Sequence, residues 1–229
     1  MFKFWLIRKT PYRETSLLAT VLSEQNRLIR VVVRGGQRSN SKLSEFQPFT
    51  GELNGKPSGL MYLNRPELYG PRVSLAGLSL VSGLYINEIM HWLLPEGAEL
   101  EGLFMGYTHT LTQLFNSDFT SLRYFERLLL EASGAYPDFN LDREGDLLDA
   151  SSFYRLLDFQ QLVRVDIGAP DSLIGDDWIR LAECRYLEKN TESYAKWLHR
   201  ILIDRATGGR RLVSRELLAG AGAGAELGL

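Results

Sequence analysis

A chain of 229 residues has room for one large domain or two small ones around a full apolar core. With 45% hydrophobic and 24% charged residues it is a folding sequence, and its single cysteine, Cys184, excludes an internal disulfide or a multi-thiolate zinc site. The net charge of -2 conceals a division: residues 1–80 carry 12 Lys and Arg against 5 Glu and no Asp, while residues 81–229 carry 14 against 23 Asp and Glu, as expected where one half faces a polyanion.

The first 80 residues have the period of strands. Phe2 to Ile7, Ser16 to Leu22, Arg27 to Arg34, Phe49 to Leu53 and Leu60 to Leu68 are apolar or β-branched runs. Gly, Pro, Asn and Ser separate them, with a hairpin turn expected at Asn54-Gly55 and an edge or bulge at Pro66. Five short strands in this length fit a small closed barrel, the OB-fold above all.

From about Ala76 the period becomes helical. Leu78, Val81, Tyr85, Ile86, Ile89 and Leu93 share a face, and Pro95 imposes a stop. A second helix begins near Phe119, with Leu122 and Leu129, and closes at Gly134 and Pro137. Tyr194, Trp197, Leu198, Ile201 and Leu202 form the clearest amphipathic pattern, broken by Gly208-Gly209. Between them Asp138 to Asp149 reads as an acidic loop, and the Ala/Gly run from Ala219 as a flexible tail. The expected class is therefore α+β: an N-terminal five-stranded OB-fold barrel over residues 1–78, an all-helical C-terminal domain over 79–218, and a tail over 219–229.

Signals for catalysis are weak. His91, His109 and His199 are isolated, no phosphate loop or nucleophile elbow occurs, and Asp138, Asp142, Asp146 and Asp149 lack the spacing of a calcium loop. No enzyme, cofactor or metal is expected, though a metal-assisted hydrolase would be served if those carboxylates met in a cleft. The opening Met1 to Lys9 is too short and interrupted for a signal peptide, and no run approaches the ~20 apolar residues of a membrane span. A cytoplasmic location without membrane contact is expected.

The basic half offers more. Arg27, Arg30 and Arg34 surround an apolar strand, Arg38 and Lys42 follow in a polar loop, and Arg8, Lys9 and Arg13 make a second cluster. Such cations follow a phosphate backbone by releasing its condensed counterions. Tyr12 lies close enough in sequence to stack on bases, whereas Phe46 and Phe49 read more readily as barrel core. The competing class is a non-catalytic protein-interaction adaptor whose OB-fold does not bind nucleic acid, but an adaptor gives no reason for the charge division.

Five segments then occur in order. Pro11-Tyr12-Arg13-Glu14-Thr15-Ser16 precedes an apolar strand, and Arg34-Gly35 closes the next before a basic loop and Gln47-Pro48-Phe49. Ser82-Gly83-Leu84-Tyr85-Ile86-Asn87-Glu88 lies on the first helix, followed by the segments Leu122 to Leu129 and Gly208 to Leu217. In this set the chain resembles the RecO family of bacterial recombinational repair proteins. The resemblance implies an OB-fold followed by helices. It also implies binding of single- and double-stranded DNA, annealing of complementary strands, and assistance to RecA in displacing single-stranded DNA-binding protein, often together with RecR. It further implies that the acidic, Phe-ending tail of single-stranded DNA-binding protein docks on the helical half, with Arg123 at the rim of the site and Phe125 and Arg127 beside it on the matching segment. Association with the nucleoid would follow. Many members carry a four-cysteine zinc module, from which this chain departs.

Overall fold

The computed structural model describes residues 1–37, 43–55, 59–188 and 190–221. The basic loop residues Arg38 and Lys42, part of the expected hairpin after Asn54-Gly55, and the tail from 222 onward lie outside them. Two compact units form: Met1–Phe119 together with the segment beginning at Leu212, and Thr120–Arg211.

In the first unit, β1 (Phe2–Tyr12), β2 (Ser16–Ser23), β3 (Leu28–Val33), β4 (Pro48–Asn54) and β5 (Met61–Leu68) close a barrel in the order β1-β2-β3-β5-β4. The β3–β5 pair is parallel and the others are antiparallel, as the OB-fold requires. Alternation decides the facing: Phe4, Leu6, Ala19, Val21, Val31 and Phe49 point inward and are almost fully buried. Pro66, which cannot donate to a ladder, sits where the β4–β5 register shifts, beside Arg65 at φ 47.

The phase of β1 changes part-way. Leu6 opposes Val21 and Arg8 opposes Thr20, so Ile7 is the extra residue of a bulge. Before it, Phe4 and Leu6 face the core. After it, Arg8, Thr10 and Tyr12 face outward, where strict alternation would have sent Arg8 inside.

α1 (Gly77–Leu93) ends because Leu94 is driven to extended backbone, ψ 128, by the proline that follows. It packs closely on the barrel side, and a Cβ on Gly83 would lie 3.0 Å from the ring of Phe46. α2 (Leu103–Phe115) follows. α6 (Val213–Ala221) returns to α1, where the Glu88 carboxylate accepts hydrogen bonds from the backbone N–H groups of Val213 and Ser214, both at 2.9 Å. A carboxylate here satisfies orphan donors and complements the helix dipole.

The second unit contains α3 (Ser121–Ala132), α4 (Gly175–Ala182) and α5 (Thr191–Ala206). It is not all-helical as expected. β6 (Phe153–Leu157), β7 (Gln161–Val165) and β8 (Ser172–Ile174) form a three-stranded sheet in the order β7-β6-β8. The β6–β7 hairpin turns through Asp158 and Phe159, both left-handed at φ 49 and 58. Such a turn ordinarily advertises itself with Asn-Gly or Asp-Gly. Asp-Phe carries no such signal, which is why the hairpin was not legible in the sequence.

Candidate nucleic-acid interface

The outer face of β1, β2 and β3 gathers the cations. Arg8 pairs with Thr20 across β1 and β2, and Thr20 pairs with Arg30 across β2 and β3, so the three residues form one row. The next row places Thr10 against Leu18 and Leu18 against Val32. Neighbouring strands are about 4.8 Å apart, which puts the backbones of Arg8 and Arg30 roughly 10 Å from each other. Just past β3, the guanidinium of Arg34 lies over the Tyr62 ring, 4.4 Å from its centroid. Arg8, Arg30 and Arg34 are all exposed.

Neighbouring groups set the electrostatics. Arg8 donates to Nε2 of His91, at the end of α1. Burial lowers the His91 pKa, and the charges of Arg8 and Arg30 lower it further. The imidazole is therefore neutral near pH 7, as an acceptor for Arg8 must be. Arg30 is 3.1 Å from Glu96, and Arg27 is 3.5 Å from Glu99. These two glutamates lie on the connection between α1 and α2, which runs beside the start of β3: Leu28 N–H donates to Ala98 O and Gly97 N–H to Leu28 O.

Not every expected cation joins the row. Lys9 lies on the opposite side of β1, its ammonium donating to Leu43 O at 2.8 Å and standing 3.7 Å from Glu45. Arg13 occupies the β1–β2 turn at φ 53, 5.2 Å from the ring of Tyr12. Phe46 and Phe49 are buried. Residues that spacing did not single out complete the surface: Thr20, Tyr62, His91 and Trp92. Pairing across strands brings them together, so no local motif could have flagged them, although the adjacent aromatics His91 and Trp92 before Pro95 were a visible cue.

On α3 the expected partner residues turn inward. The Arg123 side chain is 6% exposed and lies 2.8 Å from Glu126, whose carboxylate is 3.1 Å from Nδ1 of the buried His199. Phe125 is buried as well. Arg127 pairs with Glu131 at 2.6 Å and stacks 3.4 Å from the centroid of Tyr136. The expectation of Arg123 as a cation on an open rim is thus corrected: the buried Glu126 draws it into the unit, because a lone carboxylate there would be costly.

The acidic stretch uses its carboxylates to shape its own backbone. Asp138 accepts from Asn140 N–H, Asp142 from the N–H groups of Glu144 and Asp146, and Asp149 from Ser151 N–H and both serine hydroxyls. The bonds from Ser152 and Ser151 hold the Asp149 pKa at about 2. Among the described residues no group of three or more His, Cys, Asp or Glu is placed to hold a metal ion. No helix among them is long and apolar enough to cross a membrane.

The barrel segment, residues 2–65, matches the family described as Recombination protein O N terminal. Over 220 residues, the DNA repair protein RecO of Vibrio vulnificus is 31% identical, with 93% of this chain and 90% of that protein covered. The chain belongs to the RecO family. Its likeness to the RecO DNA repair proteins of Stutzerimonas stutzeri, 33% identical, and Alteromonas mediterranea, 31% identical, likewise spans 93% of this chain and covers 91% and 94% of those proteins respectively. The RecO N-terminal match takes in Arg8, Thr20, Arg30, Arg34 and Tyr62, and hence the strand-borne part of the row.

Proposed function

We propose that this RecO-family chain is a DNA-binding recombination mediator that works without catalytic turnover. In this reading the barrel holds single- and double-stranded DNA, anneals complementary strands, and assists RecA onto strands coated by single-stranded DNA-binding protein, in concert with RecR. It would act in the cytoplasm at the nucleoid. The observation that carries the proposal is the outward row Arg8–Thr20–Arg30, continued by Arg34 over Tyr62. Cations on the β1–β3 face of an OB barrel, with an aromatic beside them, suit a phosphate backbone with bases stacked alongside.

Docking of the acidic tail of single-stranded DNA-binding protein on the second unit belongs to the same proposal. With Arg123 and Phe125 enclosed, Arg127, at 14% side-chain exposure, is the one of the three expected residues retained for the tail carboxylate. Arg127→Ala is then expected to weaken tail-peptide binding, measured by calorimetry; unchanged affinity would remove that part.

Fluorescence anisotropy with labelled single-stranded DNA over a salt series tests the main claim. Three to five neutralised phosphates give a log–log salt slope of roughly -2 to -3.5. A salt-insensitive curve, or none, would favour the adaptor reading.

A further inference from the structure

Beside the row of cations the first unit has a pocket of about 630 Å³ that phosphate binding does not use. Thr10, Leu18, Thr20 and Leu28 form its barrel wall, and Trp92, Leu94 and Pro95 the wall at the end of α1. Arg8 and Arg30 both line it, together with His91 and Glu96. Trp92 is 39% exposed, so part of its indole is open at the pocket.

We propose that this pocket receives one unstacked nucleobase of a single strand, deepening the DNA-binding proposal above, on which it rests. The chemistry is that of a nucleotide: an apolar wall with an exposed indole takes the base, and the hydroxyls of Thr10 and Thr20 can each donate to or accept from its edge. Arg8 and Arg30 flank Thr20 in the row and both line the pocket, so the phosphates on either side of one nucleoside can be held while its base is taken up. An acidic peptide carrying a single terminal aromatic would lack those flanking phosphates and would not continue toward Arg34. The Arg30–Glu96 pair at the mouth is half exposed on both sides, so an incoming phosphate displaces a weak contact. A duplex, with its bases paired and stacked, offers the phosphates but not the base, so the pocket confers a preference for unpaired strands.

The test compares a labelled oligothymidylate with an abasic deoxyribose-phosphate strand of equal length, using the full chain, Trp92→Ala and Trp92→Phe. Base–aromatic stacking is worth roughly 5- to 150-fold in affinity per base. Trp92→Ala is expected to lower the ratio of the two affinities by at least about five-fold, with most of it restored by Trp92→Phe. An unchanged ratio would overturn the proposal, and so would an equal loss on both strands, which marks Trp92 as structural. It would also fall if an acidic peptide ending in Phe bound the full chain, lost that binding in Trp92→Ala, and left the strand ratio as it was. Failure of the full chain to bind either strand is a different result, because it removes the DNA-binding proposal itself.

Discussion

The hydroxyl of Ser214 donates to the carboxylate of Glu88, joining the last helix to the first across 126 positions of sequence. With the two backbone N–H groups that the same carboxylate receives, Glu88 caps α6 from another helix, and the first unit needs residues from both ends of the chain.

Glu88→Ala is accordingly expected to destabilise the protein by about 1–3 kcal/mol, the cost of losing a cap made of charge-assisted hydrogen bonds. Urea unfolding measures it. An unchanged midpoint would mean that α6 stays in place without the cap.

Removing the three outward arginines together, Arg8→Ala, Arg30→Ala and Arg34→Ala, is expected to make the salt slope for single-stranded DNA shallower by about 2, at ~0.7 per phosphate. The loss should be similar for all sequences, since phosphate contacts position without specifying. Lys9→Ala, on the other side of β1, should leave the slope as it is; a Lys9-dependent slope would place the strand elsewhere on the barrel.

Glu96 competes with phosphate for Arg30. Glu96→Gln is expected to tighten strand binding at low salt by roughly two- to five-fold, the range set by an exposed ion pair, and the gain should vanish as salt screens both contacts. Weaker binding in this variant would show that Glu96 positions Arg30 for the strand instead of masking it.

The buried group on α3 and α5 predicts how stability depends on pH. Burial pushes the His199 pKa below its ordinary 6.5 despite the opposing pull of Glu126. In the folded chain His199 is neutral, its Nδ1–H turned to Glu126. As pH falls below about 6.5 the unfolded chain takes up a proton that the folded chain does not, so stability is full above that pH and declines below it. Urea midpoints measured down to pH 5 should fall, and His199→Gln should flatten the profile between pH 5 and 7. A variant with an unchanged slope would assign the decline to other groups.

Arg123 tests the same cluster from the other side. Truncation leaves Glu126 buried and short of a partner, and Arg123→Ala is expected to cost about 3–5 kcal/mol. Chemical denaturation gives the value, and a loss below about 1 kcal/mol, ordinary for an exposed pair, would return Arg123 to the surface.

Much of the barrel was legible because its signals are local. The apolar run Ser16 to Leu22 and the β-branched run Leu28 to Val33 specify strands before any partner is known. What was hidden depends on partners distant in sequence. Arg8 and Arg30 are 22 positions apart and share a row only through Thr20. Arg123, three residues before Glu126 on an amphipathic helix, reads as a solvated pair until His199, 73 positions away from Glu126, encloses it. The β6–β7 hairpin escaped for the opposite reason: its strands are five residues each, and Phe159, at the second turn position, is a poor turn former.

The phase change at Ile7 gives single-residue length an unusual weight in this family member. Running β1 as a regular strand through Ile7, with no bulge, would preserve every basic residue, the overall charge and each short segment by which the family resemblance is read. It would nevertheless carry Arg8, Thr10 and Tyr12 toward the barrel interior and turn Lys9 and Pro11 outward, because side chains alternate strictly along a strand. The polarity of this surface is thus written in the spacing of β1 as much as in its composition, and two homologues with identical residue content on that strand can present opposite faces to a ligand.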